Sequence, residues 1–228
     1  SSAATASLCC APPPSPPAPP LPRPRPPHVP CVAGVARDFG TDGWDTIDPA
    51  PTANFGSTDG FTFSAFVTNT ANHNGYHRIY DLGNGAPGNN MILSLKNGLR
   101  VKHYQGTSSA SEYDYAYTGW FENGVAVERH VVVTMQVTSG WGGNSPTGCL
   151  RVYVDGAIVT TNNAGNPGCK GNSNFRFPRN VARSNLRIGR SAPGWSDPDF
   201  SGTMRDLHFW DVRLRAAEVA DLHDAGKA

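Results

Sequence analysis

The sequence predicts an all-β domain of the sandwich or barrel class, preceded by an extended proline-rich arm. Short runs rich in Val, Ile, Phe, Tyr and Thr recur from Val32 onward, separated by clusters of Gly, Asn, Asp and Pro. Within the clearest runs apolar and small polar residues alternate, which is the period of a half-buried strand. The first 31 residues show neither pattern and are dominated by proline.

The arm comes first. Residues 12–30 hold twelve prolines in nineteen positions. Each proline fixes φ and removes a backbone donor, and each pushes its predecessor towards extended geometry. The segment is expected to form a polyproline II rod, on the order of 60 Å long at about 3.1 Å per residue. It has no apolar periodicity, so it is set apart as an arm over residues 1–31, with the folded domain over 32–228. Such a rod serves as a spacer. It is also a ready ligand for an aromatic groove, because little entropy is lost on docking.

The strands follow in order. Residues 61–67, FTFSAFV, alternate as one half-buried strand. Residues 77–82 and 91–95 read as two more, and Asn97-Gly98 turns the chain into a strand over 99–104. The β-branched run 130–137 reads as a central strand buried on both faces. Residues 150–154 and 157–161 flank Asp155-Gly156 in a second hairpin. Strands over 186–189 and 202–210 come next. One short helix over 215–224 has Leu214, Val219 and Leu222 on one side.

The 228 residues suffice for one sizeable sandwich. Nineteen Lys and Arg oppose eighteen Asp and Glu, so no basic face is implied and nucleic acid is not an expected partner. No apolar run approaches the ~18 residues of a membrane-spanning helix. A chain that begins at Ser1 rather than methionine is read as processed or as a fragment. None of the five cysteines, Cys9, Cys10, Cys31, Cys149 and Cys169, has zinc-ligand spacing. An odd number in an oxidising compartment suggests two internal bridges and one thiol left to cross-link chains. Cys149 and Cys169 flank one hairpin region and are paired here. Cys31 can reach Cys9 or Cys10 of its own chain or of a neighbour. The sequence has no Asn-x-Ser/Thr acceptor, which leaves proline and serine hydroxyls as places for sugar.

Several segments, taken in order, resemble a known family. They are DFGTDGW at 38–44, GFTFSAF at 60–66, YVDG at 153–156, IGR at 188–190, and FSGTMRDLHFWD at 200–211 before the helix. Together they resemble the laminin-G/pentraxin-like, concanavalin A-like domains, over residues 34–224. The resemblance implies a two-sheet antiparallel jelly-roll sandwich. It also implies where calcium would sit. Pentraxin-like members open a strand with an Asp-Asn pair; Asn90 fits that pattern, whereas Asn89 stands in place of the carboxylate. Ca²⁺ takes about 6–8 oxygens, and the later loop at 191–194 has no acid, although Asp197 and Asp199 follow. A structural Ca²⁺ of many such folds would fall on Asp206, with Asp42 or Asp59 near it. The arm resembles the hydroxyproline-rich segments of plant and green-algal wall and flagellar-surface glycoproteins. That likeness implies hydroxylation and O-linked sugar at Pro12, Pro13, Pro14, Ser15, Pro16, Pro17, Pro19 and Pro20.

Related sandwiches include glycoside hydrolases, which need two carboxyls about 5–9 Å apart. Glu112-Tyr113-Asp114 is the nearest approach; it lacks a third acid and reads as a surface loop. No nucleophile elbow is visible. His77, His103, His130, His208 and His223 are scattered and read as satisfied or solvated. No catalysis is expected. Tyr113, Tyr115, Tyr117, Trp120, Trp141 and Trp195 stand in loop-like contexts, as candidates to stack on a sugar or on a polyproline rod. Trp44 and Trp210 read as core. The preferred reading is a non-catalytic structural subunit of an extracellular matrix, surface or filament glycoprotein. It would form a homo-oligomer or polymer, its arm docking on a neighbouring copy. The alternative is a glycan-binding, lectin-like module on a glycosylated stalk.

Overall fold

The computed structural model describes residues 60–70, 72, 74–104, 106, 112–117, 121, 126–139, 147–159, 169–171, 181–210 and 212–227, with three short strands nearer the N-terminus. For those three strands and for residues 112–117, 137–139, 147 and 169–171, the backbone alone is described.

Two antiparallel sheets face each other. In the eight-stranded sheet the order is β1 (His28–Pro30), β14 (Gly202–Trp210), β4 (Phe61–Asn69), β9 (Glu128–Ser139), β10 (Thr147–Val154) and β11 (Ala157–Val159). β2 (Arg37–Phe39) also pairs with β14, and β12 (Cys169–Gly171) with β10. The six-stranded sheet runs β3 (Asp45–Thr46), β13 (Asn185–Ile188), β5 (His77–Gly83), β6 (Met91–Leu95), β7 (Leu99–Tyr104) and β8 (Glu112–Tyr117). One helix, α1 (Ala216–Ala225), closes the chain. This is the jelly-roll sandwich that the alternating runs and the family likeness imply.

Two features depart from the sequence reading. Residues 112–117, expected as a loop, form β8 and pair along their length with β7. Tyr113, Tyr115 and Tyr117 recur at the strand period, a signal that the adjoining acids and serines obscured. β1 lies within the range read as arm and pairs with β14 of the same chain, His28 opposite Trp210. A proline at the end of an edge strand fits the rule that edges tolerate a missing donor. Cys149 is disulfide-bonded, and the register sets it directly opposite Cys169. Cys9, Cys10, Cys31 and the proline-serine run 12–20 lie outside the described residues.

Alternation builds the core. Phe61, Phe63, Ala65 and Val67 of β4 point inward with Val131 and Val133 of β9 and Val152 and Val154 of β10. Leu93, Leu95, Leu99 and Val101 meet them from the other sheet. Phe63 joins the layers, its ring centroid 4.8 Å from Tyr80 across the sandwich and 5.2 Å from Phe209 on the neighbouring strand. Both long hairpin turns hold the left-handed residues their sequences imply: φ is +52° at Asn97 and +116° at Gly98, and +52° at Asp155 and +77° at Gly156.

The outer face of the larger sheet is covered in part by α1. Val132, Tyr153 and Trp210 pack there against Leu214 and Val219. Thr62 pins the chain entering the helix: its Oγ1 donates to Val212 O at 2.7 Å and accepts from Leu214 N–H at 2.9 Å. Beside it the rings of Phe66, His130 and His223 are stacked, with centroids 4.5 Å apart for Phe66–His130 and 5.4 Å for His130–His223. His130 Nε2 lies 2.8 Å from Ser64 Oγ. The sequence left these two histidines unrelated, and the register of β4 on β9 with the docking of α1 brings them together.

Burial pushes His130 down to about 4, and the His223 charge acts in the same direction. A histidine whose folded value lies below its unfolded one (~6.5) adds stability that is full above the unfolded value. It is lost as pH falls towards the folded value. Urea denaturation should therefore show the wild type losing up to about 3 kcal/mol more than His130→Gln between pH 7 and pH 4. Equal losses in the two proteins would refute this. Thr62→Val should cost about 1–3 kcal/mol, because it strands the buried Leu214 N–H, whereas Thr62→Ser should keep most of the stability.

Candidate functional site

The outer face of the six-stranded sheet gathers several polar and charged side chains. Strand parity puts it there. Leu99 and Val101 face the core, so Arg100 and Lys102 fall on the other side of β7; Leu93 and Leu95 do the same for Ser94 on β6. In β5 the register shifts between Arg78 and Tyr80. Ile79 and Tyr80 both enter the core at this irregularity, and Arg78 and Asp81 share the outer face.

Asp81 is fully buried. Its Oδ1 accepts from Asn90 Nδ2 at 2.6 Å, its Oδ2 accepts from Ala192 N–H at 2.9 Å, and Arg78 Nε stands 3.9 Å from Oδ2. Burial raises the carboxyl above its usual range, while Arg78, the Ala192 N–H and the Asn90 amide pull it back. Asn90 reaches Asp81 only because residue 83 is glycine: a Cβ there would meet Asn90 Nδ2 at 2.3 Å. Asp81 thus ties β5 to the loop entering β6 and to the segment after β13. That segment is also held by side chains of β5, since Arg78 Nη2 donates to Asp197 Oδ2 and His77 Nδ1 lies 3.1 Å from Asp199 O.

Over this scaffold lie two aromatic rings. The Arg78 guanidinium sits between them, 5.5 Å from the Tyr76 ring centroid and 5.6 Å from that of Trp195. Lys102 Nζ and Lys96 Nζ approach the Tyr76 ring at 4.0 and 4.1 Å. Arg100 Cζ is 6.0 Å from it. Trp195 is tilted against Tyr104, with centroids 5.4 Å apart. Tyr76, Trp195, Lys96 and Arg100 are half-buried, whereas Arg78 and Lys102 are buried. Such cation–ring contacts are worth about 0.5–2 kcal/mol each, more as they are desolvated. They hold donors in place beside apolar ring faces.

Of the aromatics marked in the sequence, Trp195 joins this face. Tyr113, Tyr115 and Tyr117 lie on β8 at the edge of the same sheet, and Trp120 and Trp141 fall outside the described residues. Glu112 pairs in register with Tyr104 and Asp114 with Lys102. Tyr76, Arg78, Lys96, Arg100 and Lys102 were missed. Arg100-x-Lys102 between apolar neighbours was the legible hint, because it places two cations on one strand face.

Two of the residues considered for calcium have hydrogen-bond partners within the fold. Asn90 donates to Asp81, and its Oδ1 accepts from Gly88 N–H at 2.5 Å. Asp206 sits at an irregularity of β14, with φ +49°, and its Oδ2 accepts from Arg205 Nη1 at 2.6 Å. Asp42 lies outside the described residues. Among the described residues no three His, Cys, Asp or Glu side chains come together as a metal site.

The fold has solved counterparts. The carbohydrate-binding module CBM40 of the Ruminococcus gnavus IT-sialidase, bound to alpha2,3 sialyllactose, is similar at 13% identity with a TM-score of 0.51, covering 86% of this chain and 96% of that one. Domain 4 of AbnA, a GH43 extracellular arabinanase from Geobacillus stearothermophilus, in complex with arabinotriose, is 18% identical with a TM-score of 0.49, covering 75% and 69%. Trypanosoma rangeli sialidase, in complex with 2,3-difluoro-KDN, is 24% identical with a TM-score of 0.48; the match covers 73% of this chain and only 23% of the sialidase. No curated protein sequence matches. The family model of the concanavalin A-like lectin/glucanases superfamily (Laminin_G_3) matches residues 39–220. The two facing antiparallel sheets and that match over most of the sequence place the chain in the concanavalin A-like lectin/glucanase superfamily.

Proposed function

We propose that the domain is a non-catalytic glycan-binding module that works outside the cell. The observation that carries this is the Arg78 guanidinium 5.5 and 5.6 Å from the Tyr76 and Trp195 ring centroids, with Lys96 and Lys102 also against the Tyr76 ring. Sugar rings offer C–H faces that stack on aromatic side chains, and their hydroxyls accept from guanidinium and ammonium donors. Asp197, already fixed by Arg78, supplies an acceptor. A set of donors and rings held by buried contacts loses little entropy on binding. The Ruminococcus gnavus module bound to sialyllactose supports the reading as a sandwich of the same fold that takes a sugar.

An oxidising compartment is supported by the disulfide at Cys149. No helix among the described residues is long and apolar enough to cross a membrane. The structural-subunit reading rests on the arm, of which residues 1–27 and 31 lie outside the described residues; residues 28–30 pair with β14 of the same chain. Glycan binding is therefore the reading carried forward.

A glycan array of neutral and acidic oligosaccharides, probed with the full chain, should give a defined set of ligands. Titration of the best ligand should then weaken at least about tenfold in Tyr76→Ala and in Trp195→Ala, the loss of one stacked ring. Both variants should keep the wild-type circular dichroism spectrum. An array without ligands, or affinities unchanged in both variants, would sink the proposal. Incubation with the bound glycan should release no shorter product, and turnover abolished by Glu112→Gln would show instead that the domain is an enzyme.

A further inference from the structure

A second charged group lies on the opposite side of the molecule, near the start of α1. On the outer face of the eight-stranded sheet, Thr62, Thr134 and Arg151 stand in one row across β4, β9 and β10. Gln136 is two residues along β9 and so belongs to the same face. The chain leaving β14 crosses this face, and the two hydrogen bonds of Thr62 fix its backbone on both sides of Arg213. Residue 60 makes room for the crossing: a Cβ there would come within 2.9 Å of Arg213 Cβ. Arg213 Nη1 then donates to Gln136 Oε1 at 3.0 Å. Arg215 caps the helix, its N–H donating to Glu218 Oε2 at 2.7 Å.

The charges of Arg151 and Arg215 both act on the Arg213 guanidinium, and among the described residues the group is short of acceptors. Among the described residues, Arg151 Nε and Arg213 Nε are buried without a hydrogen-bond partner, as are the hydroxyls of Thr134 and Tyr153 on the same face. All four atoms can donate. Burial holds the Arg213 guanidinium below its ordinary value, and the Arg151 and Arg215 charges press it the same way. Folded proteins leave few buried donors unpaired, and like charges close together repel. A tetrahedral oxyanion answers both conditions, because its oxygens accept from several guanidinium forks and its charge offsets theirs.

We propose that Arg151, Arg213 and Arg215, with Gln136, form a binding site for a tetrahedral oxyanion, sulfate or phosphate, on the outer face of the eight-stranded sheet. The same chemistry is offered by a free ion and by a sulfate ester on a polysaccharide. This site is separate from the Tyr76–Trp195 face and does not depend on its reading.

The test follows arginine Nε–Hε resonances of the full chain by NMR at constant ionic strength, with chloride as the reference salt. Sodium sulfate, sodium phosphate, dextran sulfate and plain dextran are the probes. Sulfate stabilises most proteins by exclusion from their surface, so the readout is a saturable shift at named side chains rather than a melting temperature. Arg151 and Arg213 should shift saturably with sulfate or phosphate, and plain dextran should do nothing. Arg151→Gln and Arg215→Gln should each weaken binding at least about tenfold, the loss of a charge-assisted fork. Arg151→Lys, which keeps the charge without the fork, should fall between. Tyr76→Ala should leave the affinity unchanged. Tighter binding of dextran sulfate per sulfate group than of the free ion assigns a polysaccharide ester; equal binding assigns the ion. The proposal fails if no probe gives saturable shifts at Arg151 and Arg213. It fails equally if affinities are the same in wild type, Arg151→Gln and Arg215→Gln.

Discussion

Alternate side chains of both sheets must enter a single core, and that constraint decides where charged chemistry can sit. Phe63 shows the constraint at its tightest, packed on Tyr80 from the facing sheet and on Phe209 from the adjacent strand. A slip of one residue in β4 would turn Phe61, Phe63, Ala65 and Val67 outward together. The same rule sends Ser64, Phe66, Arg100 and Lys102 to outer faces. The pattern is broken at β5 and at β14. The irregularity in β5 allows Arg78 and Asp81, three residues apart, to share a face. The one in β14, between Arg205 and His208, lets the strand keep Met204 and Phe209 in the core while Asp206 takes a left-handed backbone. Bulges of this kind re-aim side chains at the cost of a local ladder bond.

The outer face of the smaller sheet depends in turn on one buried carboxylate. Taking an ionised carboxyl out of water is costly, and it is tolerated where partners restore its hydrogen bonds. Asp81 has an amide, a backbone N–H and a nearby guanidinium. Each partner comes from a different stretch of chain, so the carboxylate acts as a clasp. Removing one partner would leave the others around an underpaired charge, a larger penalty than the bond itself contributes. Arg78 is drawn inward by Asp81 and Asp197, and this places its guanidinium between the two rings.

Much of the fold was legible because its signals are local. The strands from β4 to β7, the two Asn-Gly and Asp-Gly hairpins and α1 follow from period-two alternation and from residues that accept positive φ. β1, β2 and β3 have two or three residues each, too few for a period to be seen. They exist only as edges completed by a partner. β8 did alternate, but its acids and the serines before it resembled a loop. The candidate site was far less visible. Trp195 stood out as an aromatic in a loop, whereas Tyr76, Arg78, Lys96, Arg100 and Lys102 each look like ordinary solvated residues along the chain. Only the pairing of β5, β6 and β7 gathers them. Asn90 was picked out through the family's calcium pattern, whereas the bond of its amide to Asp81 was not visible in the sequence.

A near-neutral total of 19 basic and 18 acidic residues concealed the most informative electrostatic feature. Net charge sums over the whole surface, whereas binding responds to the field at one face. Here the cations are sorted. Arg78, Lys96, Arg100 and Lys102 crowd one ring on one side of the sandwich, and Arg151, Arg213 and Arg215 stand on the other. Between them lies a core about 10 Å thick. Groups on opposite faces are further apart than the ~8 Å over which exposed charges act at physiological salt. Each cluster therefore binds on its own terms. A double-sided sandwich can present two chemically distinct surfaces from one set of strands, because the residues that build each surface are the ones its core rejects.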